Sequence, residues 1–363
     1  MKSLILTINA GGGHLSAANA IKKAIQNRNF ENKVLIVDAL KLINPILDKL
    51  AIGTYLKAIK TVPFIYGLMY DSTEKGPPKK LNNVIYEKFY FVFYKLLNII
   101  NDFEPDIIIG THPSPVDMVC ELKKRGKIGT PVISVVTDFT IHPFWINPLV
   151  DYYVVHHENL VYEAILRGAE KDKILTFGIP ISPLFVENND TENLNNKNIL
   201  VMGGSLGLGK IDKIVDIILK NNTQYNIIVV TGNNKILKDM ISQRYEKYTD
   251  KIIVLGFVDY IYQLMSISSL LITKPGGLTC AEALSKNLPM FLFSPIPGQE
   301  ERNTFYLVNN GAAVYSESLE QFDITFNQII NNNERLAQMK NSCKFLSKPN
   351  SAYDIADFLA KIV

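Results

Sequence analysis

The sequence predicts an α/β protein made of two doubly wound parallel-sheet domains that face a cleft. Short β-branched runs alternate with helical patterns along the chain, the signature of parallel sheets joined by crossover helices. These runs fall into two sets of five, separated by the polar, aperiodic stretch NNDTENLNNKN at 188–198, which reads as a linker. A length of 363 residues is ample for two domains that each bury a core.

The first set of strand candidates is Leu4–Ile8, Val34–Val37, Asp106–Ile109, Pro131–Val136 and Tyr152–Val155. The second is Ile199–Met202, Ile227–Val230, Ile252–Leu255, Leu270–Thr273 and Met290–Phe293. The expected organisation is therefore an N-terminal domain over 1–187 with an insertion at about 41–100, and a second domain over 199–345. A helix over 346–363 closes the chain, with packing back onto the first domain one arrangement open to it. Ligands of such sheets bind beyond the carboxyl ends of the strands, so the functional residues are sought there.

Composition removes several classes of function. A net charge of +3 is too small to mark a nucleic-acid-binding chain. Cys120, Cys280 and Cys343 are odd in number and far apart, with no C-x-x-C pair, so neither a disulfide framework nor a zinc cluster is expected and a reducing cytoplasm fits. The opening MKSLILTINA is apolar but short and runs into GGGH, which reads as a strand entering a turn rather than a leader. No uncharged apolar stretch reaches the roughly 18–20 residues that span a bilayer, so contact with a membrane is expected at its surface.

Four polar or glycine-rich segments follow predicted strands. Gly11, Gly12, Gly13 and His14 open the helix HLSAANAIKKAIQ, where glycines let the backbone turn and the helix amino terminus offers free N–H groups. A G-x-G-x-x-G fingerprint fails because Ser16 occupies the third glycine position, although Asp38 ends the second strand. A tight turn with a helix-capping histidine would explain the segment too, but His14 at a strand end is well placed for acid–base work. VMGGSLGLGKI at 201–211 matches G-x-x-x-x-G-K, yet Ile211 stands where a P-loop needs a hydroxyl for magnesium. What remains is a glycine loop whose amides can hold a diphosphate. In ITKPGGLTCAEAL, Lys274 supplies charge, Gly276 and Gly277 free the backbone, Thr279 is expected to cap the next helix, and Glu282 is placed to accept from ribose hydroxyls. FLFSPIPGQEERN then brings Gln299, Glu300 and Asn303 to a fourth strand end, as groups able to grip sugar hydroxyls.

GGGHLSAANAI, THPSP, VTDFTIHPFW, GIPIS, GGSLG, KPGGLTCAEAL and PGQEERN together resemble, in order, the monogalactosyldiacylglycerol synthase and processive diacylglycerol glucosyltransferase family. The resemblance runs to about residue 315, with a more distant similarity to the peptidoglycan N-acetylglucosamine transferase that acts on a lipid-linked muropeptide. It implies a GT-B fold of two Rossmann-like domains and an inverting, metal-independent hexosyl transfer from UDP-glucose or UDP-galactose to diacylglycerol. UDP-sugar is then a substrate, and neither cofactor nor metal is expected. The residues it implies for the donor are Gly203, Gly204, Ser205, Gly207, Thr231, Gly232, Phe257, Lys274, Pro275, Gly276, Gly277, Thr279, Glu282, Gln299, Glu300 and Asn303. Those implied for the acceptor are Gly13, His142 and Trp145. The candidate bases are His14, Asp138 and His142, with His14 the first choice and Asp138 orienting it or acting in its place.

The insertion suggests where the acceptor comes from. Residues 41–100 hold nine lysines, four acidic residues and ten tyrosines and phenylalanines, a mixture suited to an anionic membrane surface. A buried helix pair would use the same aromatics as core. The expected location is peripheral, on the cytoplasmic face of the cell membrane. A UDP-sugar 2-epimerase of the same fold has no use for such a segment, and a non-catalytic nucleotide-sugar sensor has no use for His14 and Asp138.

Overall fold

A computed structural model describes residues 1–9, 12–43, 90–187, 197–204, 207, 210–221 and 224–363. The chain divides into two compact units. One comprises Met1–Pro183, Ile296–Gln299 and Asn350–Val363, the other Leu184–Pro295 and Glu300–Pro349. Most of the insertion, all but two residues of the expected linker, and Lys75, Lys79 and Lys80 lie outside the described residues.

The first unit holds a six-stranded parallel sheet of β1 (Lys2–Thr7), β2 (Lys33–Asp38), β3 (Ile107–Gly110), β4 (Val132–Val135), β5 (Tyr152–Val154) and β6 (Ile174–Leu175), in the order β2-β1-β3-β4-β5-β6. β1, β3 and β4 are rich in isoleucine, leucine and valine and are almost completely buried, as strands covered on both faces require. The helix Gly13–Arg28 lays Ala18, Ile21, Ala24 and Ile25 on Ile5, Ile107 and Ile133. The helix Ser351–Ile362 packs Ala352, Ile355, Ala356 and Leu359 into the same core.

The second unit repeats the plan with β7 (Asn198–Met202), β8 (Asn226–Val230), β9 (Ile252–Leu255), β10 (Leu270–Thr273), β11 (Met290–Phe293) and β12 (Ala313–Ser316), ordered β12-β11-β10-β7-β8-β9 and again parallel. Ile211, Ile214, Val215 and Ile218 recur at the spacing of one helical face. They meet Phe322 and Phe326 of the helix Leu319–Ile330 over the sheet.

Each sheet therefore has six strands, not the expected five. β6 is two residues long and β12 reads AVYS; both are short edge strands that carry no apolar run to betray them. In each sheet the chain leaves its first strand to one side and returns on the other, between β1 and β3 and between β7 and β10. Such switch points open a crevice at the carboxyl ends of the two strands.

Candidate active site

In the first unit the switch point brings together three segments distant in sequence. Sheet order sets β1 beside β3 and β3 beside β4, so Gly12–His14, Thr111–His112 and Thr137–Asp138 emerge side by side. Gly12 caps the helix Gly13–Arg28 at φ 91°, a left-handed turn natural to glycine. No side chain caps that helix and no acid lies in its first turn, so its amino end keeps free N–H groups and positive potential.

His14 is held by its Nδ1. The Thr111 carbonyl lies 2.7 Å from that nitrogen and Thr137 Oγ1 lies 2.9 Å away. A carbonyl only accepts, so Nδ1 carries the proton and Nε2 presents its lone pair. The clamp is itself braced, since Thr111 Oγ1 donates to the His14 carbonyl at 3.0 Å and sits 2.9 Å from Thr7 Oγ1. Burial pulls the imidazole down to about 4, against a smaller upward pull from the Thr111 carbonyl. The ring is therefore neutral and able to accept a proton at any ordinary pH.

Asp138 is 5% exposed and accepts from Gln299 Nε2 at 2.5 Å; Gln299 belongs to this unit through the segment Ile296–Gln299. The groups that orient the His14 ring are the Thr111 carbonyl and Thr137. His142 Nδ1 accepts from Phe144 N at 3.3 Å, heading the short turn Pro143–Trp145, and both His142 and Trp145 are buried.

In the second unit Gly203 and Gly204 follow β7, and Lys274–Gly277 follow β10 next to it. Gly204 has φ +70° and a Cβ there would stand 3.0 Å from Lys274 Cε, so the two motifs meet. Gly207, at φ +57°, leaves no room at all: a Cβ would fall 2.5 Å from the Thr231 carbonyl. Ser205 lies outside the described residues. Lys274 pairs with Glu300, and Asn303, wholly buried, donates to the Pro275 carbonyl at 3.1 Å. Glu300 and Asn303 thus hold the KPGG turn against the helix Gln299–Asn309.

The helix after that turn is Gly277–Ser285, capped by Gly276 with no side-chain hydrogen bond. Thr279 is consequently not its cap; the helix starts two residues earlier and Thr279 sits in its first turn. The first-turn N–H groups carry no side-chain cap, and helix ends of this kind favour anions. Glu282 lies one turn deeper, and no described residue donates to its carboxyl. Burial raises it to about 8, so it is a protonated acid at neutral pH. Thr231 is buried, with its hydroxyl on the Leu255 carbonyl at 3.2 Å. Gly232 follows it at φ +60°, and Phe257, past the end of β9, is 67% exposed.

Residues 14–181 match the family described as monogalactosyldiacylglycerol (MGDG) synthase, and residues 198–359 the glycosyltransferase family 28 C-terminal domain. A processive diacylglycerol beta-glucosyltransferase of Bacillus cereus strain AH187 is 31% identical over 98% of this chain and 92% of its own. The protein of that name in Bacillus subtilis strain 168 is 30% identical over 99% and 94%. The chain belongs to this family. It is a glycosyltransferase. Its fold is that of the Acinetobacter baumannii MurG crystal structure, with TM-score 0.64 at 13% identity over 99% of both chains. The Staphylococcus aureus MnaA–UDP structure gives the same TM-score at 13% identity, over 100% of this chain and 98% of that one. At such identity these structures speak for the GT-B fold alone.

Three residues around His14 were not singled out by motif reading. Thr111 and His112 lie inside THPSP, and Thr137 stands beside the noticed Asp138. Thr111 follows β3 and Thr137 follows β4, and only the strand order β1-β3-β4 brings them near His14.

Proposed function

We propose that this enzyme transfers a hexose from a UDP-sugar, UDP-glucose or UDP-galactose, to diacylglycerol, inverting the anomeric carbon without a metal ion. The observation that carries the reading is the fixed His14 imidazole, with Nδ1–H engaged and Nε2 bare at the switch point of the first unit. As the acceptor oxygen bonds to the anomeric carbon, its proton passes to Nε2 of His14. The bond from that carbon to the β-phosphate oxygen breaks, and its electron pair leaves with UDP. One displacement by one base inverts the centre.

The second unit supplies what the leaving group needs. Its glycine-loop amides and the uncapped amino end of Gly277–Ser285 can take up the charge that develops on the diphosphate. Lys274 joins them by exchanging Glu300 for phosphate. Glu282 faces the ribose and Phe257 offers a flat face to the base. Gln299 and Glu300 are assigned to the sugar hydroxyls. Relatives named for diacylglycerol support the acceptor, and a neighbouring structure solved with UDP and glucose, HepE of Anabaena, supports the donor class.

Among the described residues no helix is long and apolar enough to cross a membrane. We assign the enzyme a peripheral place on the cytoplasmic face of an anionic membrane, where its acceptor resides. The test is incubation of the pure chain with diacylglycerol vesicles and labelled UDP-glucose, UDP-galactose or UDP-N-acetylglucosamine. A β-linked glycolipid from one of the first two is expected. Label passing only from UDP-N-acetylglucosamine, or only to a lipid-linked peptidoglycan precursor, would overturn the reading, and so would epimerised nucleotide sugar.

A further inference from the structure

THPSP places a second histidine against the first, and the reaction as proposed does not use it. The rings of His14 and His112 meet edge to face with centroids 4.8 Å apart. His112 is the N-cap of the helix Pro113–Lys124, where its Nδ1 accepts the backbone N–H of Ser114 at 3.1 Å. An accepting Nδ1 holds no proton, so the neutral ring carries its hydrogen on Nε2. Burial and the neighbouring His14 keep His112 well below the ordinary histidine range, so the neutral form prevails.

The two rings are therefore sorted into opposite tautomers by their backbone partners. His14 gives its Nδ1–H to a carbonyl and turns a bare Nε2 outward. His112 receives a backbone N–H on Nδ1 and keeps an Nε2–H to give. Neither Nε2 has a hydrogen-bond partner among the described residues, and both belong to half-buried rings. One proton-accepting and one proton-donating nitrogen side by side match a ligand with two adjacent oxygens, of which one must lose its proton.

We propose that His112 is the acceptor-orienting residue: its Nε2–H donates to an oxygen vicinal to the hydroxyl that gives its proton to His14. This rests on the transfer reaction proposed above. In a 1,2-diacylglycerol the vicinal oxygen is that of the sn-2 ester. The pair thereby selects acceptors that carry an oxygen next to the reacting carbinol over simple primary alcohols.

The cap and the donor can be separated by substitution in the full chain. Asparagine places an oxygen near Nδ1 and lacks a donor at Nε2, so His112→Asn keeps the cap and loses the orienting hydrogen. Glutamine places an N–H near Nε2 and loses the cap. His112→Asn is expected to unfold at the wild-type temperature, yet to lose at least about tenfold more kcat/KM for dioctanoylglycerol than for 1-octanol. His112→Gln is expected to melt about 2–4 °C lower and to regain part of the transfer lost in His112→Asn. Ring ¹⁵N spectra should show His112 protonated at Nε2, with that signal moving when dioctanoylglycerol is added.

The proposal is overturned by a proton found on Nδ1, by equal losses for both acceptors, or by transfer that simply follows melting temperature across the two variants. If dioctanoylglycerol shifts the His112 signal but the wild type moves no sugar to it, the transfer reading fails and the orienting contact stands. If His112→Asn transfers normally, the contact fails and the transfer reading stands. No binding of dioctanoylglycerol at all overturns both.

Discussion

At the scale of single residues, His14 and Glu282 carry shifted titrations that can be measured. His14 titrates near 4 in the folded chain, against an ordinary 6.5. Between those values the unfolded chain binds the proton and the folded chain does not, so this residue makes stability fall as pH falls through that window. Urea titrations should therefore show a shallower loss from pH 6.5 to 4 in His14→Gln than in wild type. Equal slopes would show that the ring is not buried in neutral form. Glu282 behaves in the opposite sense, raised by burial to about 8. At pH 7 it is protonated, and ribose hydroxyls that donate to it favour the carboxylate, so UDP binding should release a proton. Calorimetry in buffers of different ionisation enthalpy should detect that release in wild type and not in Glu282→Ala, whose UDP affinity falls by about 1–3 kcal/mol. A wild-type heat independent of buffer would remove Glu282 from the ribose.

At the scale of elements, the sheets were legible because the sites hang on them. The β-branched runs that end at Thr7, Gly110, Met202 and Thr273 are buried on both faces, so continuous apolarity betrays them and the glycine turns that follow. Edge strands β6 and β12 and the cap at Gly276 were not legible. A two-residue strand has no periodicity, and a helix that begins on glycines hides its start behind the more conspicuous Thr279. Nor could spacing reveal the clamp on His14, because its partners lie 97 and 123 residues away and adjoin it only through strand order. The closing helix is a further case. It bears no motif, yet Leu359 is fully buried in the first unit. Leu359→Ala should cost about 2–5 kcal/mol in urea unfolding, whereas breaking the half-exposed Arg28–Asp357 pair with Arg28→Ala should cost about 0–1 kcal/mol for the ion pair. A negligible effect of Leu359→Ala would mean that the helix is not part of the folded core.

At the scale of the whole molecule, the proposed transfer divides the work between two similar sheets. In that proposal one fixes a base and an acceptor beyond β1, β3 and β4, and the other offers amides and a helix end beyond β7 and β10. With leaving-group charge assigned to amides and Lys274, transfer should survive EDTA, and an absolute need for manganese or magnesium would contradict that assignment. Each lysine near an anionic bilayer contributes about 1 kcal/mol, a term that salt screens. Replacing Lys75, Lys79 and Lys80 by glutamate should weaken binding to phosphatidylglycerol vesicles and spare UDP binding, and unchanged sedimentation with vesicles would place the anchor elsewhere. The central claim is that Nε2 of His14 takes the proton of a lipid hydroxyl while a UDP-sugar is cleaved. Its most direct test is the rate at which label from UDP-glucose or UDP-galactose enters chloroform-extractable lipid, in wild type and His14→Ala, with UDP affinity measured beside it. Turnover should fall about 10²–10⁴-fold in His14→Ala with UDP affinity unchanged; a mild effect of His14→Ala, with Asp138→Asn abolishing transfer, would make Asp138 the base instead.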